Sequence, residues 1–140
     1  MMMSDEIKAV IEDFELFDDW DQRYQYLVEI GERLPAMPTA EKTEDNRVKE
    51  CMSLVHLAPH PDAASPPRLH FTGDCDTAII KGVVALLVQL YSGKTAAQIE
   101  ATDAEALFEG LHLEEHLSPN RHVGVYAIVE KLRRQAQAYA

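Results

Sequence analysis

In Asp76-Thr77-Ala78-Ile79-Ile80-Lys81-Gly82-Val83-Val84-Ala85-Leu86-Leu87-Val88-Gln89-Leu90-Tyr91-Ser92, Ala78 to Tyr91 is the most apolar stretch of the chain. Wound at 3.6 residues per turn it is apolar on nearly every side, which is the pattern of a helix enclosed by the rest of the molecule. Lys81, Gly82 and Gln89 interrupt it, and it is shorter than the roughly 20 residues a bilayer span requires. It therefore reads as a core helix, and the remaining elements must cover it. Immediately upstream, Leu69 to Thr72 reads as a short strand that Gly73-Asp74 joins to the helix. Met52 to Leu57 is also β-prone, and Pro59, Pro61, Pro66 and Pro67 mark the connection between the two runs. A small antiparallel sheet follows from that pairing.

Further helices supply the cover. Ser4 is placed as an N-cap for a helix of roughly 12 residues carrying Ile7, Val10, Ile11, Phe14 and Phe17 at helical spacing. Asp19 and Gln22 resemble a capping box for a second helix with Tyr24, Leu27, Val28, Ile30 and Leu34, ended by Pro35 and Pro38. Residues 35–46 read as a surface connection leading to Cys51. After the core helix, Gly93 is placed as a C-cap, Thr95 starts a short helix, and residues 103–111 suggest another. Ser118 at the N-cap and Pro119 at the first helical position open the last helix, with Val125, Ile128, Val129 and Leu132 facing inward. Lys131, Arg133 and Arg134 suit the negative end of its dipole. The expected fold is α+β, helices packed around a small antiparallel β-sheet, in one domain spanning residues 1–140. No internal repeat or low-complexity segment interrupts it.

The 140 residues hold 13 basic and 24 acidic side chains, a net charge of −11, and 46% hydrophobic residues. That hydrophobic content suffices for a real core. The charge opposes binding to phosphate backbones, so nucleic acid is not an expected partner. Residues 1–50 carry 14 acids and 6 bases, against 10 and 7 in residues 51–140. The opening Met1-Met2-Met3-Ser4-Asp5-Glu6 has neither the basic start and apolar run of a secretory signal nor the arginines of a transit peptide, and the expected location is cytoplasmic. Small size and an acidic surface are compatible with a monomer or a weak homodimer, with no membrane involved.

Chemistry-bearing residues are few. The two cysteines, Cys51 and Cys75, form no CxxC pair and no disulfide framework. Cys51 lies between a polar loop and the first strand, where Arg47 and Lys49 favour a thiolate and Glu50 opposes it. A thiolate is the species that attacks sulfane sulfur or a disulfide. An inert, small apolar role fits an isolated cysteine equally well. Cys75 is placed at the start of the core helix, flanked by Asp74 and Asp76. Cys51, Cys75, Asp74 and His116 are permissible ligands for zinc or an iron-sulfur cluster, though without diagnostic spacing. The six histidines form no convincing HxxxH face. There is no GxSxG elbow, P-loop or GxGxxG, which leaves serine-nucleophile and nucleotide chemistry without local support. Arg121, in the first turn of the last helix, could aim a guanidinium at an anion.

The order of these pieces adds a family resemblance. Asn46-Arg47-Val48-Lys49-Glu50-Cys51-Met52-Ser53-Leu54-Val55 resembles the N-x-V-x-G-C-x-S-x-V-W motif of SufE-type sulfur acceptors. Gly73-Asp74-Cys75-Asp76-Thr77 and Ile79-Ile80-Lys81-Gly82-Val83-Val84-Ala85 are similar to the family's Gly-Asp-Ser-Asp-Ala and I-x-K-G-L-x-A segments. Gly93-Lys94-Thr95 fits a Gly-x-Thr turn, and His116-Leu117-Ser118-Pro119-Asn120-Arg121-His122-Val123-Gly124 resembles H-L-(S/T)-P-x-R-x-x-G. These ordered motifs, in a resemblance covering most of residues 10–135, are far more specific than a lone cysteine. Glu50 replaces the usual glycine, which would matter if the backbone there were left-handed. Cys75 replaces a common serine and His56 a frequent tryptophan.

The resemblance implies a fold shared with the U-type iron-sulfur scaffold proteins and a role in sulfur relay. A SufS- or CsdA-type cysteine desulfurase would present a persulfide, Cys51 would take its outer sulfur and thereby stimulate the desulfurase, and a SufBCD-type scaffold would receive it. Pyridoxal phosphate belongs to the desulfurase, and this chain needs no cofactor. Asp74 and Arg121 are the expected shapers of the Cys51 loop or of the docking surface. The alternative is a U-type scaffold binding zinc or an iron-sulfur cluster through Cys51 and Cys75. An acceptor thiol must reach into another protein's active site yet be sheltered between transfers, so Cys51 is expected at a loop tip, held inward when free and everted on docking.

Overall fold

The computed structural model describes residues 5–140; Ser4, placed above as the first N-cap, lies outside the described residues. Helix α1 (Asp5–Leu16) and helix α2 (Trp20–Glu32) come first. Asp19 caps α2 by accepting the Gln22 N–H, while Gln22 reaches back to the Asp18 N–H, one residue earlier than in a standard capping box. A single 3-10 turn, Thr39–Glu41, interrupts the connection that follows.

Strands β1 (Val55–Pro61) and β2 (Arg68–Cys75) pair antiparallel, with Val55 opposite Cys75 and Pro61 opposite Leu69. This corrects the expected boundaries. Residues 52–54 are not strand, whereas Pro59 and Pro61 belong to β1. The ladder explains why: in the order β1-β2-β3, β1 is an edge strand, and its Leu57 N–H points away from β2 to the Asn46 carbonyl. Pro59 and Pro61 share that outward alternation, so their missing N–H groups remove no bond to β2. β2 likewise runs through Gly73 and Asp74, and Cys75 is its last residue rather than the first of the next helix. A two-residue strand β3 (Lys94–Thr95), not expected from the sequence, pairs with the start of β2.

The long apolar helix is α3 (Ala78–Tyr91), with Ile79, Ile80, Val83, Val84, Leu86, Leu87, Leu90 and Tyr91 buried. One side of it meets β2, where a Cβ on Gly73 would lie 3.0 Å from Val84; the other meets α2 so closely that a Cβ on Gly82 would lie 2.2 Å from the Leu27 carbonyl oxygen. Gly93 follows α3 with φ +80°, the left-handed conformation that ends a helix cheaply with glycine. Helices α4 (Ala96–Glu100), α5 (Glu105–Gly110) and α6 (Leu113–His116) are short. α4 has a full capping box from Thr95 and Gln98. The last helix, α7 (Pro119–Gln137), is capped by Ser118, buries Val125, Ile128, Val129 and Leu132 as expected, and packs on β1. Among the described residues this is an α+β fold of seven helices and one open three-stranded antiparallel sheet, and no helix is long and apolar enough to cross a membrane.

Gly82→Ala puts a methyl into backbone that has no room to retreat, and overpacking of this kind costs about 3 kcal/mol. Urea unfolding of the variant should show a lowered midpoint at unchanged slope; an unaltered midpoint would mean that α2 and α3 do not depend on that contact.

Candidate functional site around Cys51

The Cys51 loop leaves and re-enters the fold at one backbone pair: Val48 N–H donates to the Val55 carbonyl at 2.9 Å. Asp76 anchors its far side, accepting the Leu54 N–H on Oδ1 at 2.9 Å and donating its own N–H to the Leu54 carbonyl at 3.2 Å. Ser53 Oγ and Thr77 Oγ1 lie 2.7 Å apart. Lys49 to Ser53 is therefore a short span of irregular chain hung between fixed points.

Cys51 points inward from that span and is 8% exposed, while its neighbour Met52 is turned out and 83% exposed. The thiol rests against α7 at Gly124, where a Cβ would lie 2.7 Å from Cys51 Sγ. Close packing thus gives the sulfur the volume that any larger residue on α7 would occupy. Beside it lies a cavity of about 310 Å³ bordered by Ser53, Asp76, Thr77, Ser118, Asn120 and Arg121. Leu54 and Val123 add exposed apolar surface on either side. Arg121 is exposed at the mouth, its N–H donating to Ser118 Oγ at 3.4 Å. His116, the last residue of α6, stacks on Trp20 with ring centroids 4.0 Å apart, tying the end of α6 to the start of α2.

Asp74 is placed differently. It alternates with Cys75 and so faces away from the core side of β2. There Lys42 approaches at 2.8 Å and Lys81 at 3.4 Å, and the Cys75 N–H donates to Oδ1 at 2.9 Å. Burial pushes the Asp74 carboxyl up, but the Lys42 hydrogen bond, the Cys75 N–H and the two lysine charges together hold it below the usual carboxylate range. Its ties brace the corner from which Asp76 and Thr77 project. Asp76, two residues on, is the acid that contacts the Cys51 loop. Glu50 brings no backbone strain, because among the described residues His112 is the one non-glycine with positive φ.

The second thiol differs from the first in its surroundings. Cys75 is buried on the core face of β2, and its sulfur accepts the Thr77 N–H at 3.4 Å. Burial raises its pKa to about 11, aided by the charges of Asp76, Cys51 and Asp74 and opposed by the Thr77 N–H. It is a protonated, poorly nucleophilic thiol at neutral pH. A metal centre would need more than this pair, and among the described residues no group of three or more His, Cys, Asp or Glu side chains is placed to hold an ion. Sequence reasoning missed Gly124, Asp76, Thr77 and Ser53. The glycine closing the H-L-S-P-x-R-x-x-G signature was a visible signal, since glycine inside a helix costs stability unless something packs where its side chain would be.

A model of the SufE family, described as the Fe-S metabolism associated domain, matches residues 8–136. The chain is similar to an uncharacterized SufE-like protein of Rhizobium meliloti (strain 1021), 37% identical over 132 residues that span 94% of this chain and 94% of the relative. A second uncharacterized SufE-like protein, from Rhizobium etli, is 38% identical over 135 residues, 96% of this chain and 91% of its own length.

Gly124→Ala should push Cys51 from its seat and raise its rate of alkylation by iodoacetamide roughly tenfold, since labelling of an enclosed group follows its local opening. An unchanged rate would mean the loop already opens freely. In a Cys51→Ser background, Cys75 deprotonates only as pH rises toward about 11, so its labelling should climb across that alkaline range and be slow at neutral pH. Fast neutral labelling would contradict the burial argument.

Proposed function

Because the chain belongs to the SufE family, the Fe-S metabolism associated domain, we propose that it is a sulfur carrier in which Cys51 accepts persulfide sulfur from a cysteine desulfurase. The observation that carries this reading is the seat of Cys51. Its sulfur is withdrawn against Gly124 beside a cavity, while the loop bearing it spans only the gap between the Val48–Val55 pair and the Asp76 anchor.

In the transfer, the Cys51 thiolate attacks the outer sulfur of the donor's persulfide. A sulfur–sulfur bond forms on Cys51, the one on the donor breaks, and the donor cysteine leaves as thiolate. No net oxidation occurs, and no external electron acceptor is needed. Draining the donor frees it for another turnover, which is how the protein would stimulate it. Eversion of the loop brings Cys51 to a SufS- or CsdA-type active site, and its return shelters the new persulfide in the cavity of about 310 Å³. Arg121, at the mouth, supplies positive charge for the persulfide anion. Asp74 acts at a distance by bracing the strand-to-helix corner. Delivery to a SufBCD-type scaffold for iron-sulfur cluster assembly completes the route. In this reading residues 1–140 work as one sulfur-acceptor domain in the cytoplasm, as a monomer or weak homodimer.

The test pairs two readouts on a purified cysteine desulfurase supplied with cysteine and reductant: sulfide release with and without this protein, and intact mass of this protein. Wild type should stimulate release and gain about 32 Da as one sulfur atom. Cys51→Ser should lose both, and Cys75→Ser should keep both. Loss of both with Cys75→Ser, or neither effect with wild type, would overturn the carrier reading.

A further inference from the structure

Next to the Cys51 loop the sign of the surface changes. In a chain with 13 basic and 24 acidic side chains, four of the basic ones, Arg47, Lys49, Lys131 and Arg134, line a single cleft of about 170 Å³ between that loop and α7. Glu44, Asp45 and Glu50 also line the cleft, which leaves it one positive charge in excess. Glu50 stands 3.9 Å from Arg134 and Glu44 stands 3.5 Å from Arg47, both contacts loose for ion pairs. Lys49 has no hydrogen-bond or ion-pair partner among the described residues. Lys131 donates to the backbone carbonyl of Asp45, and burial followed by the charges of Arg134 and Lys49 lowers its pKa against the opposing charges of Asp45 and Glu50. Arg47 has an enclosed Nε with no acceptor. Cations crowded in this way gain from an added carboxylate.

We propose that this cleft is the docking site for an acidic segment of the sulfur-donating partner, whose carboxylates take Arg134 from Glu50 and meet Lys49 beside it. The inference rests on Cys51 being the sulfur acceptor. Lys49 and Glu50 immediately precede Cys51, so any protein whose active site meets that thiol also lies over the cleft. Glu50 is a stand-in for the incoming carboxylate: while it faces Arg134 the loop lies against α7, and once a partner's acid replaces it that tie is gone. The occupant is an acidic protein segment and not nucleic acid, because the net charge of −11 repels a polyanion from most of the remaining surface.

Two substitutions with opposite expectations test this, both read as the concentration of this protein that half-saturates its stimulation of the desulfurase. Arg134→Glu should raise that concentration roughly fivefold at low salt, with little change in maximal stimulation, and the difference should shrink as salt screens the cleft. Glu50→Gln should lower it, because the cations are then unoccupied. Both side chains are exposed, so folding is not at risk, and equal thermal midpoints check that. A rise with both substitutions, no change with either, or a difference insensitive to salt would overturn the docking site while wild-type stimulation leaves the carrier reading standing. If wild type gains no sulfur, the carrier reading fails and the docking site falls with it. Displacement of the desulfurase by a nucleic-acid duplex would also overturn the assignment.

Discussion

The approach of α3 to α2 at Gly82 is the constraint on which the rest of the site depends. With the Leu27 carbonyl pressed against Gly82 on one side and Val84 against Gly73 on the other, α3 cannot translate or rotate without a backbone collision. That fixes the corner where β2 turns into α3. Asp76 and Thr77 occupy the corner, and from them hang Leu54 and Ser53 and so the loop that carries Cys51. A helix contact on the far side of the core thus determines where a thiol near the surface can rest.

The arrangement separates the parts that hold from the parts that give. Asp74 ties its corner through Lys42, Lys81 and the Cys75 N–H, whereas the Cys51 span is kept in place by packing against Gly124 and by few polar bonds. Burying one small side chain is worth on the order of 1 kcal/mol. In the proposed carrier, that small cost is what contacts made by a partner would have to offset to draw Cys51 outward.

Much of the fold was legible because helix ends announce themselves locally. Ser118-Pro119, Thr95 and Asp19 each cap the helix they were expected to cap, and α3 and α7 bury the faces their spacing implies. Strand limits were less legible, since they depend on which edge of the ladder a residue faces. Pro59 and Pro61 looked like breaks until their N–H positions proved to point away from β2, and Gly73-Asp74 looked like a turn while pairing with Leu57 and His56. Of the site, Cys51 and Arg121 were singled out by residue type and motif, and the structure brings them to one cavity. Asp76 was overshadowed by Asp74 because what separates them is where β2 ends: Asp74 is still in the ladder, whereas Asp76 lies in the corner beyond Cys75, against Leu54. Gly124 needed the fold itself, since its role is defined by a sulfur atom from a remote part of the chain.

That last contact ties together two positions that no local rule connects. Because the sulfur of residue 51 takes the space of a side chain at residue 124, the two share one volume. A lineage that gave up the cysteine for something smaller would release position 124 to drift toward alanine, and a lineage that enlarged 124 first would eject the thiol. Among descendants of such a fold the two sites should change together or not at all, a coupling written by sterics into genealogy.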